Sequence, residues 1–107
     1  MMEHLEKREY YVLLFDFYEL LLTEKQRQYF SDYYFKDLSL MEIANAYNIS
    51  RNAVYDQLTK TYKYLINFEE KLKLYYRYQE RNEIFEQYQD LGNTVLNEMI
   101  EKLKKVE

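Results

Sequence analysis

The residues of this chain best suited to chemistry are cations set beside amides and aromatic rings, in two stretches. The first is RNAVYDQLTKTYK. Read as a helix from Arg51 with Val54, Leu58 and Thr61 toward a core, it turns Arg51, Asn52, Tyr55, Asp56, Thr59, Lys60 and Lys63 outward. Arg and Asn near a helix start can reach base edges with paired hydrogen bonds, and Lys60 and Lys63 can hold phosphates. The second is KLKLYYRYQER, where Lys73, Arg77 and Arg81 recur at i, i+4, i+8 with Tyr76 and Tyr78 nearby. Cations interleaved with rings suit RNA, whose unpaired bases stack and whose backbone is charged. The plainer expectation is that Glu69, Glu80 and Glu83 pair with these cations along a solvated helix face.

Catalysis finds little to work with. A single Gly cannot build a glycine-rich phosphate loop, and the absence of Cys removes any thiol nucleophile or thiolate ligand. His4 is the one histidine and sits among charges, with no second His to share a metal, so it reads as a surface residue. Glu69 and Glu70 are adjacent on a helix and point about 100° apart, so they cannot flank one substrate. No Ser stands beside a plausible base. The expectation is a protein that is not an enzyme and needs no metal or cofactor. Its 14 Tyr and 6 Phe belong to core and interfaces.

Composition narrows the class. A length of 107 residues fits one domain and leaves no room for a separate catalytic module. The start MMEHLEKREYY mixes acids into the place where a secretory signal has a clean basic segment. Asp16 and Glu19 interrupt the oily run from Tyr10 to Leu22, which is also shorter than the roughly 20 residues a membrane span needs. With no Cys, a reducing cytoplasm is the expected location, without membrane insertion. The net charge is −4, unusual for a reader of duplexes. The segment with a positive balance is 39–67, where Arg51, Lys60 and Lys63 outnumber Glu42 and Asp56.

The elements that position these residues are helices. Zero Pro and one Gly leave almost no backbone punctuation, and no strand-like alternation runs for any length. Thr23 precedes Gln26, and Ser39 precedes Glu42, each by three residues, which predicts capping boxes and helices starting near 24 and 40. Tyr29, Phe30, Tyr33 and Tyr34 form a helical core stripe in the first of these. Leu5 to Leu22 is apolar nearly all round and predicts the helix most enclosed by the others. After residue 67, Phe68, Leu72, Tyr75, Tyr76, Phe85 and Tyr88 predict a long run that Gly92 can end in the left-handed conformation. Asn93 can then cap a last helix with a seam of Leu96, Met99, Leu103 and Val106, about two heptads long, suited to weak pairing of two copies. The fold class is all-α: one domain over 1–107, with a core at 23–67 and a long C-terminal helical extension at 68–107.

The stretch SLMEIANAYNISRNAVYDQL joins two serine-led helices through Asn48 and Ile49. Ile43, Ala44 and Tyr47 share one face; Val54 and Leu58 share another. Ala44 is small where two steeply crossed helices must come close, and Ile49 is apolar where a solvated turn would be polar. Asn48 tolerates positive φ, and Ser50 can cap the helix after it. The pattern predicts a helix-turn-helix.

The same residues carry a resemblance. LTEKQRQYF…YYFKDLSLMEIANAYNISRNAVYDQLTKTYKYL resembles region 4 of bacterial sigma factors. The longer stretch from FDFYELLLTEKQRQYF to INFEEKL is more closely similar to the YlxM family of small bacterial proteins, with SRNAVYDQL followed by EEKL its most specific part. The resemblance implies a sigma-region-4-like helix-turn-helix bundle with a reading helix starting at Arg51. It also implies an association with the signal recognition particle pathway, through the particle's RNA or a GTPase, because such genes commonly lie beside those of the particle's GTPases. It supplies no catalytic residues. Sigma-like readers often carry basic or amide side chains where this chain has Tyr55 and Asp56, and Asp56 would repel phosphate. DNA therefore stands as the alternative ligand, and a protein-interaction module without nucleic acid as a third.

Overall fold

The computed structural model describes residues 4–107, and side chains from Lys7 onward. The regular elements among its described residues are all helices, with no strand: α1 His4–Tyr18, α2 Glu24–Tyr34, α3 Leu40–Tyr47, α4 Arg51–Leu72, α5 Leu74–Tyr88 and α6 Thr94–Lys105. The chain forms two compact units, one ending at Lys73 and the other running from Leu74 to Glu107.

In the first unit the helix starts follow from side-chain caps. Thr23 Oγ1 accepts from the Gln26 amide at 3.2 Å while Gln26 Oε1 accepts from the Thr23 amide at 2.9 Å. That reciprocal box satisfies two of the orphan donors every helix start leaves. α1, α2 and α3 all pack on α4, which makes α4 the strut of the unit. Leu14, Phe15, Tyr18 and Leu22 are buried, and Phe15 stacks on Phe30 with ring centroids 4.3 Å apart. The enclosure expected for the whole of Leu5 to Leu22 is not there. The helix tightens into a 3-10 turn at Glu19–Leu21, which leaves Leu20 85% exposed and Leu21 exposed beside it.

Aromatic side chains fill much of the interior, as the composition suggested. Tyr11 lies flat on Tyr62 at 4.3 Å, and the Tyr34 hydroxyl donates to the Tyr62 hydroxyl at 2.6 Å. Burial pushes both phenols above their ordinary value. The Tyr18 hydroxyl donates to the buried Glu69 carboxylate at 2.5 Å, tying α1 to the far end of α4. Full burial of a side chain such as Leu58 or Leu65 is worth about 1.5–3 kcal/mol, so this interior outweighs any surface pair.

α4 ends at Leu72 because Lys73 adopts the left-handed conformation, φ 53°, while its amide closes the last turn on the Glu69 carbonyl at 2.8 Å. The run expected to continue past Phe68 as one helix is thus broken. In the second unit Asp90 and Gly92 take positive φ, 62° and 79°, between α5 and α6. Asn93 caps α6 as expected, accepting from the Leu96 amide at 3.1 Å. Phe85 and Ile100 are buried between the two helices. Lys104 reaches across to the Phe85 ring, 5.7 Å from its centroid, and Arg81 pairs with Glu107 at 2.8 Å. The seam differs from the expected Leu96, Met99, Leu103 and Val106. Leu96 faces partly inward with Ile100, while Met99, Leu103 and Val106 are exposed together with Val95.

Candidate nucleic-acid interface

The two-serine stretch folds into a helix-turn-helix. Ser39 Oγ accepts from the Glu42 amide and Glu42 Oε1 accepts from the Ser39 amide, both at 3.0 Å, which fixes where α3 begins. Ile43 and Ala44 are fully buried, and Ala44 admits the close approach of α4. Asn48 stands at φ 56°, ψ 46°, the left-handed residue that reverses the chain. Ile49 follows, its amide held by the Ala44 carbonyl at 3.0 Å and its side chain packed on Tyr29, Ile43, Ala44, Val54 and Leu58. Ser50 Oγ accepts from the Ala53 amide at 3.1 Å and opens α4.

Tyr47 departs from the expected apolar face. It is 38% exposed, its ring edge meets Tyr29 at 4.8 Å, and its hydroxyl donates to Asp32 Oδ2 at 2.7 Å. Asp32 is buried and also pairs with Lys36 at 3.3 Å, so this carboxylate joins α2 to the end of α3. The hydrogen bond to Asp32 is the chief cause that pushes the Tyr47 phenol up to about 12. A polar partner for a Tyr on a nominally apolar face cannot be read from spacing, because Asp32 and Tyr47 meet only after α2 and α3 fold together.

α4 carries the residues expected to form a reading helix. Val54, Leu58 and Thr61 are buried, and the Thr61 hydroxyl donates back to the Gln57 carbonyl at 2.8 Å. Arg51, Asn52, Tyr55, Asp56, Lys60 and Lys63 are exposed, and Thr59 is half-buried between them. Among the described residues, Arg51, Lys60 and Lys63 make no ion pair. Asp56 lies one turn from both Asn52 and Lys60, in the middle of the face. Tyr64, which sequence reasoning passed over, is exposed on the flank of the same helix.

The second group does not form the stripe its spacing suggested. Lys73 is the left-handed residue ending the first unit, so it does not continue a helical face with Arg77 and Arg81. Arg77 is exposed on α5, whereas Arg81 is engaged by Glu107. The acids expected to neutralise the stripe have other business as well. Glu69 turns inward to Tyr18, and Glu80 accepts from the Tyr76 hydroxyl, which raises that phenol.

Among the described residues, no group of acids or His could hold a metal ion, and no helix is long and apolar enough to cross a membrane. The side chain of His4 lies outside the described residues.

Comparison with known proteins agrees with this architecture. Residues 5–106 match the family described as "Putative helix-turn-helix protein, YlxM / p13 like". A protein of that family from Bacillus licheniformis is 46% identical over 105 residues, spanning 96% of this chain and 98% of its own. YlxM of Bacillus subtilis is 46% identical over 107 residues, covering 92% of this chain and 97% of its own. A relative from Malacoplasma penetrans is 49% identical over 89 residues, 83% of this chain and 81% of its own. With a family match over nearly the whole length and a helix-turn-helix in place, the chain belongs to the YlxM/p13-like helix-turn-helix family.

Proposed function

We propose that this chain is a non-catalytic regulatory protein of the signal recognition particle pathway, acting in the cytoplasm by binding the particle's RNA through its helix-turn-helix. It also associates with a second copy through its C-terminal helices. The pathway comes from the family resemblance; the ligand class comes from the exposed face of α4. That face offers Asn52, Tyr55, Thr59, Lys60 and Lys63, two amide or hydroxyl groups, one ring and two cations, and a hydrophobic core holds it from behind. Amides and hydroxyls can read base edges, a ring can stack, and lysines can hold phosphates. This face is the observation that carries the reading.

A duplex-DNA reading is favoured by Arg51 and Asn52 at the first turn of α4, where sigma-like readers meet base edges. Asp56 weighs against it. A carboxylate one turn from Asn52 and Lys60 sits where a duplex phosphate would pass, and the repulsion it adds counts against a complex held largely by phosphate contacts. RNA with unpaired bases can avoid that position and still reach Tyr55 and the lysines. A GTPase of the particle as protein partner is the remaining alternative.

The test is a charge reversal on each surface. Lys60 and Lys63 changed together to Glu should weaken binding to structured RNA by more than about tenfold and flatten its salt dependence by about two ions. Arg77 changed to Glu reads the weaker second surface, where a smaller loss is expected. Binding to both RNA and duplex DNA is measured at two salt concentrations. Equal binding by all variants to both ligands would remove the nucleic-acid reading and leave the protein partner.

A further inference from the structure

The second unit carries an apolar face that its own two helices leave uncovered. Its buried hydrophobic residues are Phe85 and Ile100, a small core for residues 74–107. Chains below about 40 residues usually need a disulfide, a metal or a partner to hold a core. There is no Cys in the sequence, and no metal cluster among the described residues. Meanwhile Val95 is 74% exposed, Met99 51% and Val106 81%, with Leu103 exposed between them. Spaced i, i+4 and i+8, Val95, Met99 and Leu103 fall within a sector of about 80° on α6, and Val106 follows at its C-cap.

We propose that this stripe pairs with the same stripe of a second copy in antiparallel orientation, registered by Glu98 of each chain against the partner's Lys105. The inference rests on the self-association in the reading above and adds its direction and its contacts. A two-fold axis passing between Met99 and Leu103 sets Met99 across from the partner's Leu103, and Val95 within one residue, about 1.5 Å along the helix, of the partner's Val106. Every apolar residue of the stripe then meets an apolar residue, as an isologous interface requires.

Charge selects the orientation. The acids of α6, Glu98 and Glu101, precede its cations Lys102, Lys104 and Lys105, which occupy the last turn. Glu98, Lys102 and Lys105 line the edge of the stripe away from Leu96 and Ile100. Antiparallel pairing lays Glu98 of one helix beside the basic last turn of the other. A parallel pair would carry this edge to opposite sides of its two-fold axis, leaving Glu98 without the partner's Lys105 beside it, and would lay like ends of the two helix dipoles side by side. Glu98 already pairs with Lys102 of its own helix, 3.3 Å away and largely exposed, and a carboxylate with two oxygens can accept from Lys102 and the partner's Lys105 together.

The experiment uses the full chain in sedimentation equilibrium, with circular dichroism to confirm folding. Glu98→Lys and Lys105→Glu each turn two symmetric attractions into repulsions, so each alone should weaken dimerisation by about tenfold. The double variant Glu98→Lys/Lys105→Glu restores both contacts with reversed sign and should return to within about twofold of the parent. A parent dimer that ignores both single changes overturns the antiparallel register while leaving self-association standing. Single changes that weaken the dimer with no recovery in the double variant overturn the Glu98–Lys105 pairing likewise. A parent that stays monomeric throughout overturns the register and the self-association together.

Discussion

Replacing Tyr47 by Phe removes one hydroxyl and keeps the ring, so it isolates the bond that ties α3 to Asp32. The Tyr29 edge contact at 4.8 Å survives the change, and Asp32 keeps Lys36 at 3.3 Å. A hydrogen bond to a charged group is worth about 1.5–3 kcal/mol when buried. Tyr47 is 38% exposed, so water can replace part of its hydroxyl at Asp32 and the loss should be nearer ~1 kcal/mol. That corresponds to a fall in melting temperature of about 4–8 °C. The effect should also depend on pH in a definite direction. The Tyr47 phenol is raised from 10.0 to about 12, chiefly by its hydrogen bond to Asp32. A group whose pKa is higher folded than unfolded adds stability below the unfolded value and loses it as pH climbs through the folded one. The advantage of Tyr over Phe is therefore full below pH 10.0 and gone above about 12. Tyr34 and Tyr62 are raised in the same direction but are present in both proteins, so they cancel. Denaturant unfolding of parent and variant from neutral pH upward measures this. No stability difference at neutral pH, or one that stays constant through the alkaline range, would refute the assignment of Tyr47 as the tie.

Two further outcomes bear on the turn and cap of the motif. Ser50→Ala removes the acceptor for the Ala53 amide and should cost ~1 kcal/mol, seen as a lower thermal midpoint; an unchanged midpoint would mean that the cap is idle. Asn48→Val forces a β-branched residue into φ 56° and should cost at least about 1–2 kcal/mol, whereas Asn48→Gly should be close to neutral; circular dichroism melts of the two variants give the comparison.

Much of the first unit was legible before folding because its signals are local. Thr23, Ser39 and Ser50 each cap a helix by accepting from the amide three residues on, as Asn93 does in the second unit, and Asn48 reverses the chain by its own conformational tolerance. Val54, Leu58 and Thr61 are separated by helical spacing, so their shared burial follows from period alone. What escaped depends on tertiary partners. Nothing in NFEEKLKLYYRY marks Lys73 as left-handed, since neither Gly, Pro nor Asn stands at the break except Asn67 well before it, and the stripe Lys73, Arg77 and Arg81 was lost with that one residue. Leu20 and Leu21 look like core by composition, yet a 3-10 turn swings them outward. Ile100 was overlooked in favour of Leu103 because a seam read from one helix does not say which side the neighbouring helix takes. The outward residues of α4 were recovered where expected, but their ligand is a matter of chemistry between molecules, which helical period does not encode.

On the function proposed above, the face of α4 binds RNA in preference to duplex DNA. Equilibrium binding of the full chain to the particle's RNA and to a duplex of mixed sequence, across a salt series, tests it most directly. If Lys60 and Lys63 each neutralise one phosphate, log K for the RNA should fall with log salt at a slope of about −1.4 to −1.8, with weaker binding to the duplex at every salt concentration. Tighter binding to the duplex, or retention of neither ligand at low salt, would contradict the account.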